Sequence, residues 1–156
     1  MAETTNTNEL IDRLAASPAR FVALLSSLED ADSVAVASEG QWSPAEVMSH
    51  VRAANDILEP RLYQVLVRDS TPLIGFDERR WLEVAGYASL PITDLLHTMI
   101  LKRKELVHAL RGLSPEDWQR TGTHEVRGPI SVLDIATQIA DHEDEHLAQI
   151  AAAIGR

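Results

Sequence analysis

The apolar residues of this chain recur every three or four positions, and this spacing constrains the fold more than any other feature. Four long stretches, at about 8–29, 43–67, 91–112 and 131–154, carry such a stripe, which is typical of helices with one buried face. The only run with strand character is SVAVAS, at residues 33–38, and it is short. We therefore predict an all-α fold, a bundle of four helices.

Capping signals predict where these helices begin. Ser43 and Glu46 fit a capping box around Pro44 at the start of the second helix, and Ser131 resembles the first residue of another box at the start of the last. Pro18 should kink or restart the first helix, because a proline inside a helix lacks an N–H to donate.

The connections between the helices differ greatly in length. Residues 30–41 and 121–129 are predicted to be loops, and residues 69–90 form a long connection with a short helix at about 77–85. The long connection exceeds what a tight helical hairpin needs, so the second and third helices could run parallel.

Composition limits the classes of function. The 156 residues suit a single domain, predicted to span residues 1–156. A formal net charge of −10 argues against binding to nucleic acid or to an anionic membrane surface. The N-terminus lacks the basic and apolar regions of a signal peptide, so we expect a cytoplasmic protein. Because the chain has no cysteine, it cannot form disulfides, thiolate metal sites or a catalytic thiol of its own.

Three of the six histidines fall beside predicted apolar stripes. His142 and His146 lie one turn apart on the last helix, and His50 lies on the corresponding shoulder of the second helix. If these two helices are antiparallel neighbours, the three side chains reach similar depth and could share a metal ion with an open coordination position. Neutral imidazoles suit zinc, nickel, copper or iron, and the pattern does not choose among them. The alternative is that these histidines are simply solvated.

The other histidines are weaker candidates, since His97 and His108 are predicted to face water and His124 to lie in a loop. Residues 142–146 also spell HExxH, the motif of zincin proteases. We reject that interpretation because the extended motif requires glycine and histidine where this chain has Gln149 and Ala152.

Glu143 and Arg103 are predicted to point into the centres of the apolar stripes of the last and third helices. An unpaired buried charge is costly, so each should have a partner. One interpretation is an internal ion pair. The other is catalytic, with Glu143 as a base or ligand-orienting group and Arg103 as the holder of an anionic substrate group. Arg61 is a weaker anion-site candidate that is expected to extend to the surface.

Three segments resemble the DinB-like superfamily, which includes bacillithiol S-transferases and mycothiol-linked enzymes. Residues 42–50, WSPAEVMSH, match the family's W-S-x-x-E-h-h-x-H segment, where h is apolar. Residues 142–150, HEDEHLAQI, match H-E-x-x-H-x-x-Q-[IL], and residues 128–132 resemble the entry to the last helix. One departure is Leu147-Ala148, where many members carry Arg-Gly.

The resemblance implies a four-helix bundle in up-down-down-up order, often dimeric, with a divalent metal ion held by His50, His142 and His146. Zinc or nickel is the expected ion. It also implies a small-molecule substrate and, as the function, a metal-dependent transferase that uses a low-molecular-weight thiol as cosubstrate. The alternatives are a hydrolase that uses metal-bound hydroxide and a non-catalytic stress-linked binding module.

Overall fold

The computed structural model describes residues 6–34, 36 and 38–155, without the side chains of residues 30 and 31. No helix in this part of the chain combines the length and apolar character needed to cross a lipid bilayer. The elements follow in the order α1 (Thr7–Leu25), α2 (Asp30–Ser33), α3 (Pro44–Val67), β1 (Pro72–Leu73), α4 (Glu78–Ala85), a 3-10 turn (Tyr87–Ser89), α5 (Ile92–Arg111), α6 (Pro115–Gln119), β2 (Thr121–His124), β3 (Gly128–Ser131) and α7 (Val132–Ala153).

The four long helices α1, α3, α5 and α7 form a bundle with two groups of buried apolar side chains, one toward each end. One group joins the early parts of α1 and α7 to the late parts of α3 and α5, with Leu14, Ile135, Leu62 and Leu106 among its members. The other joins the opposite halves, with Phe21, Ile150, Val47 and Leu96 among its members. Helices α1 and α7 therefore run one way and α3 and α5 the other, which confirms the up-down-down-up order.

The predicted helix starts are confirmed by hydrogen bonds at the caps. The Ser43 hydroxyl accepts from the Glu46 N–H, and the Glu46 carboxylate accepts from the Ser43 N–H. Ser131 and Asp134 form the same reciprocal pair at the start of α7. Because these caps fix the first turns, they also set the rotation at which α3 and α7 present their histidines.

Of the two alternatives predicted for Pro18, a kink or a restart of the first helix, the restart is wrong. Helix α1 is continuous from Thr7 to Leu25 and contains Pro18. The proline removes the N–H that would donate to the Leu14 carbonyl, and that carbonyl instead accepts from the Arg103 guanidinium at 2.9 Å. A tertiary hydrogen bond therefore occupies the acceptor that the proline leaves free.

The predicted loops contain structure as well. Residues 30–33 form the short helix α2, which ends at Ser33, the first residue of the SVAVAS run. Residues 35 and 37 of that run lie outside the described residues. The loop predicted at 121–129 is wrong, because β2 and β3 pair antiparallel there and β1 joins β2 in parallel.

This small sheet depends on a close approach at Gly122. A Cβ at that position would lie 2.9 Å from the Leu73 side chain, from the Thr71 carbonyl and from the Val65 side chain. Only glycine lets β2 lie this close to the end of α3 and to β1. The close packing brings the β2–β3 turn beside the bundle, next to the histidines of α7.

Candidate metal centre

Three imidazoles converge between the antiparallel helices α3 and α7. The Nε2 atom of His142 lies 2.9 Å from Nε2 of His50 and 3.0 Å from Nε2 of His146. The ligand atoms of the three residues all lie within 4.8 Å of one another. The structure thus brings together the three histidines predicted from sequence.

This arrangement fits a divalent ion on geometric grounds. Histidine nitrogens bind zinc at about 2.0–2.1 Å, which places two such nitrogens roughly 3.0–3.4 Å apart in common coordination geometries. A neutral imidazole carries a proton on only one ring nitrogen. Three Nε2 atoms at these separations therefore cannot all be satisfied by one another, whereas a shared cation would accept all three lone pairs.

Gln149 supports the same assignment for His146. Its Oε1 atom lies 2.8 Å from Nδ1 of His146, and because this oxygen can only accept, Nδ1 carries the proton. The Nε2 lone pair of His146 is then left to face His142 and His50. Such a bond to the far ring nitrogen is the usual way in which proteins orient a metal-binding histidine.

The electrostatics of the cluster favour the neutral form of His50 and His142. Burial, followed by the neighbouring charges of His146 and His50, lowers the pKa of His142 to about 4. Burial and the charge of His146 also lower the pKa of His50. Near pH 7 these two side chains are therefore neutral, and each has one ring nitrogen whose lone pair can bind a cation. Nδ1 of His142 is buried and has no hydrogen-bond partner among the described residues.

Two cavities border the histidine cluster. The first, which we call the Arg61 cavity, has a volume of about 340 Å³ and reaches His142. The second, the Trp42 cavity, measures about 480 Å³ and reaches His146 and Gln149. The Trp42 ring packs edge-on against His50, with ring centroids 5.1 Å apart. Small molecules could therefore approach the histidines from two sides.

Glu143 and Arg103 meet inside the bundle. Two hydrogen bonds, at 2.8 and 2.5 Å, join the Arg103 guanidinium to the Glu143 carboxylate, and Asn55 donates to the same carboxylate at 2.8 Å. Glu143 is fully buried and Arg103 is 2% exposed. Burial alone would lower the pKa of Arg103, but the hydrogen bonds and charge of Glu143 raise it. Glu143 and Arg103 thus form the internal ion pair that was one of the two interpretations of their sequence positions. The catalytic roles of the two residues stay predictions.

Arg61 does not extend to the surface, contrary to expectation. It is buried, donates to the Ile74 carbonyl, and its guanidinium lies 5.6 Å from the centre of the Phe76 ring. The segment between β1 and α4, which carries Ile74 and Phe76, folds over it. Nothing in the helical periodicity of α3 indicates this cover, because it comes from a distant part of the chain.

Sequence reasoning missed several residues around the cluster. His124 lies on β2, not in a loop, and lines the Arg61 cavity together with Arg127, Gln138 and Glu78. Gln149 belongs to the family motif quoted above, and its position three residues after His146 on the same helix indicates the contact with that ring. The predicted exposure of the remaining histidines, His97 and His108, is correct.

Comparison with known proteins agrees with this architecture. A protein of Oceanobacillus iheyensis, named for a proposed metal-dependent hydrolase activity, is 30% identical over 117 residues, which is 75% of this chain and 67% of that protein. YfiT from Bacillus subtilis, described as a four-helix bundle of unusual topology, superposes with a TM-score of 0.88 at 16% identity, over 99% of this chain and 91% of that one. A mycothiol-dependent maleylpyruvate isomerase superposes with a TM-score of 0.71 at 18% identity, over 92% of this chain and 60% of that one.

The family assignment follows from a match that spans most of the chain. The family model described as the DinB superfamily matches residues 13–150. This range includes all three converging histidines and all four bundle helices except the first residues of α1 and the last of α7. The chain belongs to the DinB superfamily.

Proposed function

We propose that His50, His142 and His146 bind a divalent metal ion and that the protein is a metal-dependent enzyme acting on small molecules. The observation that carries this proposal is the close approach of three Nε2 atoms. Nε2 of His142 lies 2.9 Å from Nε2 of His50 and 3.0 Å from Nε2 of His146, and no carboxylate belongs to the group. Among the described residues, only these three histidines form such a group of ligands. The relative named as a metal-dependent hydrolase supports the same conclusion.

The chain's own residues prepare the site in three ways. Gln149 fixes the His146 tautomer, burial keeps His142 and His50 neutral, and the Trp42 ring forms one wall. When bound, a divalent ion would act as a Lewis acid and lower the pKa of a thiol or water that reaches it. With three protein ligands, coordination positions remain for a reactant.

For the reaction, we favour transfer of a low-molecular-weight thiol to an electrophile. The two cavities meet the histidine cluster from different sides, which suits two reactants. Because the chain has no cysteine, a reacting thiol must come from a cosubstrate. The mycothiol-dependent enzyme of the same fold supports this choice.

Hydrolysis is the second candidate, and the name of the O. iheyensis relative favours it. The two reactions differ in one requirement that can be measured directly. A transferase needs the thiol, whereas a hydrolase turns over esters or amides in its absence. In a third, non-catalytic case, the metal would only support a binding pocket.

The experiment is an activity panel on the metal-loaded protein, using alkylating electrophiles, esters and amides, each with and without several low-molecular-weight thiols. We expect thiol-dependent turnover that His146→Ala abolishes. His97→Ala is the matched control, because His97 is exposed on α5 and should leave turnover unchanged. Turnover without thiol would support hydrolysis. Turnover that survives in His146→Ala would rule out the metal-dependent mechanism.

The partner predictions also stay proposals. We expect a small-molecule substrate and a homodimer, and we expect no binding to nucleic acid or membrane. Sedimentation velocity at micromolar protein concentration would test the dimer, and a monomer at that concentration would contradict it.

A further inference from the structure

We propose that Arg61 and Arg127 form an oxyanion-binding subsite in the Arg61 cavity, which holds a carboxylate or phosphate group of the substrate beside His142. This inference rests on the proposed function for the identity of the ligand as a substrate. The oxyanion site itself depends only on the residues that line the cavity.

The first argument is that Arg61 is a buried cation without a counterion. Its exposed fraction is only 9%, and its one hydrogen bond in the described structure goes to the Ile74 carbonyl. No carboxylate among the described residues lies within ion-pair distance of Arg61, and its Nε has no hydrogen-bond partner there. Arg103, the other buried arginine, is paired with Glu143. Burying a charge without a counterion is unfavourable, so an anionic group of a ligand is the expected partner of Arg61.

The second argument is that further donors surround the same cavity. Arg127 lies near enough for its charge, after burial, to lower the pKa of Arg61. Its guanidinium donates to the Gln138 side chain at 3.4 Å and forms no ion pair with the described residues. Two arginines that face one cavity repel each other, and an oxyanion between them would relieve that repulsion. Guanidinium groups suit carboxylate and phosphate because their planar N–H groups can donate in pairs.

His124 adds a neutral donor to this lining. Its Nδ1 accepts from the backbone N–H groups of Val126 and Arg127, at 3.1 and 3.3 Å. The proton of the neutral ring is therefore on Nε2. This tautomer supplies an N–H without adding a third positive charge.

Two carboxylates oppose the arginines and must be weighed. Glu78 lines the cavity at the start of α4, and the Glu125 carboxylate accepts from the Gly75 N–H at 2.9 Å. Both raise the pKa of Arg61, but the effects of burial and of Arg127 are larger and the net direction is downward. Glu78 is exposed to solvent, which weakens its attraction for Arg61. The two carboxylates attract Arg61 from a distance, but neither forms an ion pair with it among the described residues, so the guanidinium has no direct counterion although the chain as a whole carries a net charge of −10.

The position of the subsite would let it orient an anionic substrate toward the histidine cluster. His142 lines the same cavity as Arg61 and Arg127, and a volume of about 340 Å³ holds a small molecule, not a polymer. A substrate held by its anionic group at the arginines would place its remaining atoms next to the histidine cluster. The arginines would then select anionic small molecules as substrates.

The test is isothermal titration calorimetry of the metal-loaded protein with inorganic phosphate and, separately, with succinate. We expect at least one to bind, with affinity reduced about tenfold or more by Arg61→Gln and several-fold by Arg127→Gln. Arg68→Gln is the matched control, because it makes the same charge change at an exposed position after α3 and should leave binding unchanged. Glu78→Gln should tighten binding by removing a negative charge from the cavity. The stronger of the two probes shows whether the site prefers phosphate or carboxylate.

Two controls distinguish a loss of anion binding from a loss of folding or of metal binding. Arg127 is exposed, so Arg127→Gln should fold even if Arg61→Gln does not, and circular dichroism checks both. Binding should persist in His146→Ala, because the arginines remain. Equal affinity in wild type and both arginine variants, or no binding of either probe, would overturn the subsite. Binding that depends on His146 and not on the arginines would place the anion at the metal, which overturns this inference and leaves the proposed function intact.

Discussion

Two clusters of polar side chains lie within the bundle, and they differ in whether their charged or lone-pair groups have complementary partners. In the ion-pair cluster, formed by Arg103, Glu143 and Asn55, the carboxylate accepts three hydrogen bonds and the two charges cancel. In the histidine cluster, formed by His50, His142 and His146, Nε2 atoms face one another, and among the described residues the one hydrogen bond to a side chain outside the cluster is that of His146 with Gln149.

The contrast separates a structural cluster from a candidate site. Glu143 is adjacent in sequence to His142, yet its carboxylate accepts from Arg103 of α5 and Asn55 of α3, whereas the His142 ring lies against His50 and His146. Arg103 of the ion-pair cluster also donates to the Leu14 carbonyl that Pro18 leaves free, so the cluster connects α1, α3, α5 and α7. The histidine cluster keeps its lone pairs unused and borders two cavities. We therefore expect the first arrangement to be structural and the second to hold the proposed cation.

The largest effect is expected from breaking the ion-pair cluster. Arg103→Met leaves Glu143 charged and buried without a counterion, which should lower the free energy of unfolding by about 3–5 kcal/mol. Urea denaturation measures this free energy of unfolding. Arg13→Met is the control, because Arg13 pairs with Asp141 and Asp144 at the surface, where such pairs contribute about 1 kcal/mol or less.

The double variant Arg103→Met, Glu143→Leu sharpens this prediction. It removes both charges and should recover most of the lost stability, since an apolar replacement of a buried pair is often neutral. Loss of activity in Arg103→Met with unchanged unfolding free energy would contradict the structural role and favour the catalytic one.

The histidine cluster predicts that the stability of the metal-free protein depends on pH. The pKa of His142 is lowered in the folded protein, to about 4, so below about pH 6.5 the unfolded chain binds a proton that the folded chain does not. Stability of the metal-free protein should therefore fall as the pH drops from about 6.5 toward 4, by on the order of 2–3 kcal/mol from this residue.

This dependence can be measured by urea denaturation of chelator-treated protein between pH 7.5 and pH 4.5. His142→Asn should flatten the curve, because asparagine does not titrate. His108→Asn removes an exposed histidine and should leave the curve as it is. A slope that is the same in both variants would show that His142 is not the titrating group.

A smaller effect is expected from the outer partner of the histidine cluster. Gln149→Ala removes the acceptor that orients His146, which should weaken metal affinity about 10–100-fold without changing the number of ions bound at saturation. Competition with a chromogenic chelator measures the affinity. Gln64→Ala, at an exposed position of α3, is the control. Unchanged affinity in Gln149→Ala would mean that Gln149 does not orient the ligand.

Both clusters could be predicted from sequence because they lie on long, regular helices. At 100° per residue, His142 and His146 fall on one shoulder of the α7 stripe and Glu143 falls at its centre. The capping boxes at Ser43 and Ser131 then fix where each helix begins. Periodicity and caps together determine which side chains can meet.

The surroundings of the clusters could not be predicted in this way. The β2–β3 hairpin contains Gly and Pro and has little strand propensity, and it forms because Gly122 allows close contact with α3 and β1. The cover over Arg61 comes from residues 13 or more positions away. Pro18 stays inside α1 because Arg103, from another helix, satisfies the freed carbonyl. Each of these results from a tertiary contact that local patterns do not encode.

The central claim, that the histidine cluster holds a metal ion, is tested most directly by the metal content of the purified protein. Inductively coupled plasma mass spectrometry of wild type, His50→Ala and the exposed control His97→Ala, each after dialysis against the same divalent ion, gives the number of ions per chain. We predict about one ion per chain in wild type and His97→Ala, and a large loss in His50→Ala. Equal metal content in wild type and His50→Ala, with both proteins folded, would contradict the claim.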